Sequence, residues 1–553
     1  MQATRLPAAA LLASALVGST SAAQDQQVLY SYDGNFFENL GSDVAGIGDV
    51  DGDGFQDFLI SVAGSSAGGT DSGRIRVHSG RLGTALLVLD GSASHDSLGA
   101  SLAGLPDLDG DGTADVFGGA TQSPGGTGYA RAFSGATGAA LFTFQGDSSG
   151  DRFGADVASA GDVDGDGVAD LIVGAPEPGD AGNGPGFARV FSGASGAVLH
   201  DVSGTSVGDV FGSEVSGAGD ADGDGFADFL VGAAGESGGA FDSGRVRVFS
   251  GVDGTVIHTF DGQFSNEGLG IAASSAGDVD ADGTVDYVVG ANPLFVTGEI
   301  FVFSGSTGAV IHALVGAPGD QIGQAVAAAG DVNGDGFDDF IAGSPQPSGG
   351  PDANGFAQVL SGADASPLHT FFGNEEDEGF GRAVGSPGDV NGDGEPDFIV
   401  GATFSSSGGP LSGEARVFST VPLPLVADEH ELSLSAGGVQ TMDLDADASL
   451  SNRFYLFLGS LSGTQPGTPS GSLVVPLNFD AYLSFTLANP GALPLGAAIG
   501  FLDPAGDTFA LFTVPPGSNP SLAGLSAHHA AVVLGFSGEL DFASNAVPIS
   551  LVP

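Results

Sequence analysis

The sequence predicts an all-β protein, a seven-bladed β-propeller with an acidic loop in each blade, followed by a small β-sandwich. Three observations carry this expectation. A nine-residue acidic loop recurs seven times, at a spacing of 53 to 58 residues. Each copy is flanked by short apolar runs bounded by Gly, Pro and Asp, which read as strands and not as helices. The repeat stops near Pro422 and Pro424, and short alternating strands continue beyond them without the loop.

The third copy shows the unit. Phe153-Gly154 leads through Val157 into Ala160-Gly161 and the acidic loop from Asp162 to Asp170. Leu171 to Pro176 follows, then a Gly/Pro-rich stretch to Gly186. Ala188 to Gly193 and, after a tight turn, Ala197 to Gly204 complete the unit. Four short antiparallel strands per repeat are the pattern of a propeller blade, and seven repeats predict seven blades. The fourth-strand pattern follows repeats one to six, as in Val256 to Gly262, but is missing after Val417-Phe418-Ser419. A copy stands instead before the first repeat, at Val28 to Gly34. The N-terminal strand is therefore expected to complete the last blade and close the ring, which hides the exposed edges of an open sheet. The propeller is placed at residues 28–420. Residues 425–553 are expected to form the separate β-sandwich, with strands such as 453–458, 471–475 and 530–534.

The 553 residues carry a formal net charge of −56, and all 12 basic residues are arginines. Such a chain repels phosphate backbones and anionic surfaces, which argues against nucleic acid as a partner. The acid is patterned: positions 1, 3, 5 and 9 of the loops hold 26 of the 68 Asp and Glu residues. Arg5, the apolar run Leu6 to Val17 and Ser21-Ala22-Ala23 read as a signal peptide over residues 1–23, too short to span a bilayer. The expected location is secreted or at the cell surface, as a monomer without a transmembrane segment. With no cysteine, no disulfide can hold an exported fold together, and a metal becomes the expected staple.

The loops supply its ligands. Positions 1, 3, 5, 7 and 9 are Asp49, Asp51, Asp53, Phe55 and Asp57 in the first copy, and Asp107, Asp109, Asp111, Thr113 and Asp115 in the second. The third has Asp162, Asp164, Asp166, Val168 and Asp170, and the fourth Asp220, Asp222, Asp224, Phe226 and Asp228. The fifth has Asp278, Asp280, Asp282, Thr284 and Asp286, and the sixth Asp331, Asn333, Asp335, Phe337 and Asp339. The seventh has Asp389, Asn391, Asp393, Glu395 and Asp397. Calcium takes six to eight oxygens in flexible geometry. Side chains at 1, 3, 5 and 9 and the carbonyl at 7 would supply them. Asn at position 3 still offers an oxygen. Magnesium demands a rigid octahedron, and zinc would call for His or Cys. Calcium is expected in up to seven loops, one ion each. Position 6 is Gly in every copy, as a turn needing positive φ requires, while Ala281 replaces Gly at position 4.

The repeat resembles the FG-GAP repeat of integrin α-subunits, visible in Phe153-Gly154, the acidic loop and Gly174-Ala175-Pro176. Phe211-Gly212 with Gly232-Ala233, and Phe380-Gly381 with Gly401-Ala402, repeat it. Leu40-Gly41, Leu98-Gly99, Leu269-Gly270 and Ile322-Gly323 keep only the Gly. The resemblance covers about Val28 to Ser419. It implies a propeller with calcium in loops on one face; seven acidic loops exceed the integrin number and look closer to bacterial secreted proteins of this type. Strand alternation puts the loops joining strands two to three, and four to the next blade, on the opposite face. If integrin-like recognition carries over, a ligand meets that face, where Phe36-Phe37, Phe295 and Glu375-Glu376-Asp377-Glu378 stand. The expectation for these is nevertheless burial between blades for the Phe residues and solvation for the acids.

No nucleophile elbow, zinc signature or phosphate loop occurs. His200, His258, His312 and His369 share a fourth-strand position with Tyr30, Leu87 and Phe142, which reads as a packing site. Arg74, Arg131, Arg189, Arg245 and Arg416 recur in the third strand and read as structural. His528-His529 points to opposite strand faces. Two functions remain: a secreted, calcium-stabilised, non-catalytic binding or adhesion module for a glycan or protein, and alternatively a calcium-dependent extracellular polysaccharide lyase or hydrolase.

Overall fold

The computed structural model describes residues 27–420 apart from 123–124, 177–183, 293–296, 318, 346–353 and 376, and beyond 420 chiefly the strands. The signal-peptide reading, Phe295, Glu376, Pro422 and Pro424 lie outside the described residues. The chain divides into two compact units, residues 1–420 and 421–553.

The first unit is all-β and holds seven four-stranded antiparallel sheets. Blade 1 is Leu40–Gly48, Asp57–Val62, Arg74–His78 and Ala85–Asp90, paired in that order. Blades 2 to 6 repeat the meander. Blade 7 differs as the sequence implied: Phe380–Gly388, Asp397–Ala402 and Glu414–Ser419 are completed by the N-terminal strand Gln27–Asp33, antiparallel to Glu414–Ser419 with Tyr32 opposite Ala415. Each first strand also packs beside the first strand of the next blade, and the seventh beside the first, so the ring closes around one axis.

Burial follows position within the blade. Every residue of each second strand is buried, because this strand has a neighbour on both edges and a blade on both faces. Apolar clusters form between consecutive blades; Phe117, Phe153, Leu171 and Phe191 lie in one such cluster, between blades 2 and 3. Gly is required where blades touch. A Cβ on Gly174 would sit 2.1 Å from the carbonyl oxygen of Gly212 in the next blade.

The second unit contains a four-stranded sheet, a six-stranded sheet and a two-stranded ribbon. The four-stranded sheet is built on Gly438–Asp445 and Asp507–Val514, the six-stranded on Phe454–Ser460 and Ser526–Leu534. Buried His529, on the six-stranded sheet, has its ring 4.8 Å from that of Phe512 on the other.

Candidate metal loops and the opposite rim

Each acidic loop joins a blade's first and second strands, and the seven loops follow one hydrogen-bond scheme. The position 1 carboxylate accepts the N–H of the position 6 glycine in all seven, from Gly54 to Asp49 at 2.8 Å through Gly394 to Asp389 at 2.9 Å. The glycine's φ there lies between 88° and 94°, a conformation that favours Gly. The position 5 carboxylate accepts the N–H of position 7: Phe55, Thr113, Val168, Phe226, Thr284, Phe337 and Glu395 each donate it. Asn333 and Asn391 hold their side-chain oxygens as Asp does elsewhere, accepting from Asp335 at 2.9 Å and Asp393 at 2.8 Å.

These turns gather carboxylates. Ligand-capable oxygens of Asp49, Asp51 and Asp53 lie within 4.8 Å of one another, as do those of Asp278, Asp280 and Asp282. In three loops the position 9 residue joins positions 1 and 3: Asp107, Asp109 and Asp115; Asp162, Asp164 and Asp170; Asp220, Asp222 and Asp228. The remaining members, Asp111, Asp166, Asp224, Asp331, Asp335, Asp389 and Asp393, occupy the same positions of the same turns.

Position 9 has a second task. Asp57, Asp115, Asp170, Asp228, Asp286, Asp339 and Asp397 are all fully buried at the start of the second strand. In blades 1 to 6 one oxygen accepts the N–H of loop position 2 and the other an N–H from the turn between strands three and four. Asp57 accepts from Val50 at 2.7 Å and from Gly80 at 2.8 Å. Asp397 keeps the first bond, from Val390, but blade 7 has no such turn. Burial pushes these carboxyls up, to about 6 for Asp57, Asp170, Asp228 and Asp286 and to about 8 for Asp397; neighbouring loop aspartates add to the rise and backbone donors oppose it.

A hard cation fits this arrangement. Asp162 Oδ1 is buried without a hydrogen-bond donor, inside the cluster it forms with Asp164 and Asp170. A carboxylate oxygen deprived of water is costly unless a cation or donor meets it. The donor set is all oxygen, which suits calcium and not a soft metal. The first loop alone among the described residues has an arginine beside it: Arg81 Nη1 is 3.8 Å from Asp53 Oδ2, and its guanidinium lies over the Phe55 ring at 5.1 Å.

The opposite rim holds a set of acids of which the sequence reading singled out only Glu378. Two residues before each Phe-Gly-type pair stands an acid: Glu38, Asp96, Asp151, Asp209, Glu267, Asp320 and Glu378. Each closes the loop entering its blade by accepting backbone N–H groups. Asp209 accepts from Thr205 at 2.8 Å and Ser206 at 2.7 Å, and Glu267 from Gln263 and Phe264. Glu38 accepts from Asn35, Asp96 from Ala93, Asp151 from Ser148, Asp320 from Ala317 and Glu378 from Asn374. The fixed offset from the Phe-Gly pair was the available signal.

Three readings are corrected. Phe36 and Phe37 do not pack between blades; they are 60% and 51% exposed, with rings 4.2 Å apart. Phe37 holds φ at 61°, unusual for a bulky side chain, where its N–H bonds to Pro410 O at 3.1 Å. Glu378 is not a solvated acid; it is buried and paired with Arg416 at 3.1 Å. The histidine position is more than packing, since His200, His258 and His312 pair with the carbonyls of Gly251, Gly305 and Gly362 in the following blade. Arginines of the third strand are engaged: Arg74 with Asp90, Arg189 with Asp147 and Asp201, and Arg245 with Glu236 and Asp261. Arg131 lies over the Tyr129 ring.

Fold and loops together define a seven-bladed propeller with an Asp-rich turn in each blade. Blades 1, 3, 4, 6 and 7 match the FG-GAP repeat, at residues 40–78, 153–191, 211–249, 322–360 and 380–418. The chain is 28% identical over 223 residues to integrin alpha pat-2 of Caenorhabditis briggsae, covering 35% of this chain and 17% of that protein. It is 30% identical over 247 residues to integrin alpha-5 of Xenopus laevis, covering 39% and 23%, and 29% identical over 233 residues to integrin alpha-V of Gallus gallus, covering 39% and 22%. It thus spans under a quarter of the length of these relatives. The propeller is integrin-α-like, five of its seven blades match the FG-GAP repeat, and its Asp-rich loop groups are typical of the calcium sites of such repeats.

Proposed function

We propose that the chain is a secreted, calcium-stabilised propeller that binds an extracellular glycan or protein without catalysing a reaction. Oxygens at positions 1, 3, 5 and 9 of each loop, with the position 7 carbonyl, would hold one calcium ion per loop. The ion supplies positive charge that relieves repulsion among the loop carboxylates. The residues themselves shape the turn and tie it to the blade through position 9. A monomer with a C-terminal β-sandwich, secreted or held at the cell surface after removal of residues 1–23, completes the proposal; the Phe512–His529 contact between the two sheets supports the sandwich.

The observation that carries the binding reading is the exposed Phe36-Phe37 pair, held by an unusual backbone on the rim away from the acidic loops. Apolar side chains presented this way favour an interaction surface over a solvated loop. Integrin-α-like propellers are typically non-catalytic, which agrees with this. The test is a panel of extracellular polysaccharides and matrix proteins, incubated with the purified protein in millimolar calcium and scored for retention and for chain cleavage. Retention that the double variant Phe36→Ala/Phe37→Ala loses is the expected result. Cleavage that tracks the folded protein would make it an enzyme and overturn the reading.

A further inference from the structure

The inner edges of the blades are not secured alike. Each first strand pairs along one edge with its second strand, while the other edge faces the axis and the neighbouring blade. Backbone N–H groups on such an edge need an acceptor. Two residues after the Phe-Gly-type pair, the seven first strands and their approaches carry Asp43, Ser101, Asp156, Glu214, Ala272, Ala325 and Ala383.

In the first three blades this side chain reaches the next blade. Leu102 donates its N–H to Asp43 Oδ2 at 2.8 Å, Val157 to Ser101 Oγ at 3.2 Å, and Val215 to Asp156 Oδ2 at 2.6 Å. Between blades 4 and 5 the link comes from a neighbouring side chain: Ser275 donates its N–H to Ser216 Oγ at 3.4 Å. The Ser101 hydroxyl also donates to Asp156 Oδ1 at 2.8 Å, tying two links together. The alanines of blades 5, 6 and 7 have no acceptor to offer. Among the described residues no side chain bonds to backbone between the first strands at the 5/6, 6/7 or 7/1 seams. Outer links occur at both kinds of seam: His200 to Gly251 O joins blades 3 and 4, and Tyr30 donates to Arg81 O across blades 7 and 1. The axial relay is therefore what distinguishes them.

We propose that this relay clamps the inner strands of blades 1 to 5 into one rigid arc and leaves the 5/6, 6/7 and 7/1 seams as the arc where the ring opens. The entry loop with Phe36 and Phe37, and Leu411 of blade 7, border the 7/1 seam, so that part of the opposite rim can adjust while blades 2 to 4 hold their places. The inference stands on the fold and survives failure of the binding reading.

Amide hydrogen exchange on the full chain in saturating calcium tests it. The N–H groups of Leu102, Val157 and Val215 are expected to exchange about tenfold more slowly than their equivalents Val326 and Val384, the factor a hydrogen bond of ordinary net strength provides. Asp156→Ala should speed exchange at Val215 without changing Val384. Ala325→Asp, which adds an acceptor, should slow Val384, and it keeps the test open if Asp156→Ala does not fold. Equal exchange at the two sets of amides, or no slowing of Val384 in Ala325→Asp, would overturn the proposal.

Discussion

On the rim that carries the nine-residue loops, aspartates face aspartates, and a buried oxygen such as Asp162 Oδ1 has no donor. On the opposite rim each acid stands apart from its equivalents and is met by backbone N–H groups, as Asp209 is by Thr205 and Ser206. The same residue types, repeated seven times in both places, solve different problems. One rim concentrates charge that only a cation can balance. The other uses single carboxylates as caps for tight turns, and needs nothing from solution. Stability should therefore depend on calcium through one rim only.

The largest effect that can break this contrast is chelation. Extracellular-type affinities of about 10⁻⁴ to 10⁻³ M give about 0.4 to 1.4 kcal/mol per site at 1 mM calcium, or about 3 to 10 kcal/mol over seven sites. Excess chelator should lower the melting temperature by about 5 to 15 °C, reversibly on adding calcium back. An unchanged melt in calorimetry would remove the metal from the account. On the other rim, Asp209→Ala strands two N–H groups and the Thr205 hydroxyl. A loss of about 2 to 4 kcal/mol is expected, equal with and without calcium. A loss that vanishes in chelator would show that the two rims are coupled.

A third measurement concerns acids outside both rims. Enclosure by the inner strands pushes Asp43 up to about 7 and Asp156 up to about 6, with Asp156 adding repulsion at Asp43, while backbone donors and Ser101 oppose the rise. A carboxyl with a raised folded value binds its proton more tightly when folded. Its contribution to stability is complete below the unfolded value near 4 and is lost as pH rises through the folded value. With calcium saturating the loops, the melting temperature should fall by a few degrees between pH 5 and 8. Asp43→Asn, which keeps an acceptor and removes the charge, should flatten part of that slope. An Asn variant with the wild-type slope would place the titration elsewhere.

Much of this was legible in the sequence, for reasons that particular residues show. The acidic loops stood out because their spacing matches oxygen ligation, and blade closure could be read because Val28 to Gly34 supplies the strand missing after Ser419. Glu38 and its six equivalents recur as regularly. Yet a lone acid before an apolar pair looks like a solvated charge until the loop folding back over it is seen. The histidine bonds were hidden for another reason: His200 meets Gly251, 51 positions away, and nothing local to either announces the other. Exposure of Phe36 and Phe37 depends on the path of the loop around Pro410, which composition does not encode.

Two smaller effects sharpen the contrast within the metal rim. Arg81 places a positive charge 3.8 Å from Asp53, so the first loop already holds part of the charge its ion would bring. Arg81→Gln should tighten calcium at that loop by about three- to tenfold, since removing a unit charge near a surface site changes the energy by about 1 kcal/mol. Calcium titration of this variant, read against the unchanged other loops, would show it. An unchanged first-loop affinity would mean the guanidinium is committed to the Phe55 ring and not to the carboxylates.

The smallest effect lies at position 4 of the fifth loop. Six loops have Gly there, with φ between 71° and 78°, while the fifth has Ala281 at 58°. A Cβ in this left-handed region meets the neighbouring carbonyl and costs about 1 kcal/mol against Gly. No ligand comes from position 4, so the strain belongs to the turn and not to the metal. Ala281→Gly should therefore stabilise the protein by up to about 1 kcal/mol, with the same increment in calcium and in chelator, measured by denaturant unfolding under both conditions. An increment present only in calcium would mean that the fifth turn adopts its left-handed residue on binding the ion, and that the loops are not preformed on this rim as the caps are on the other.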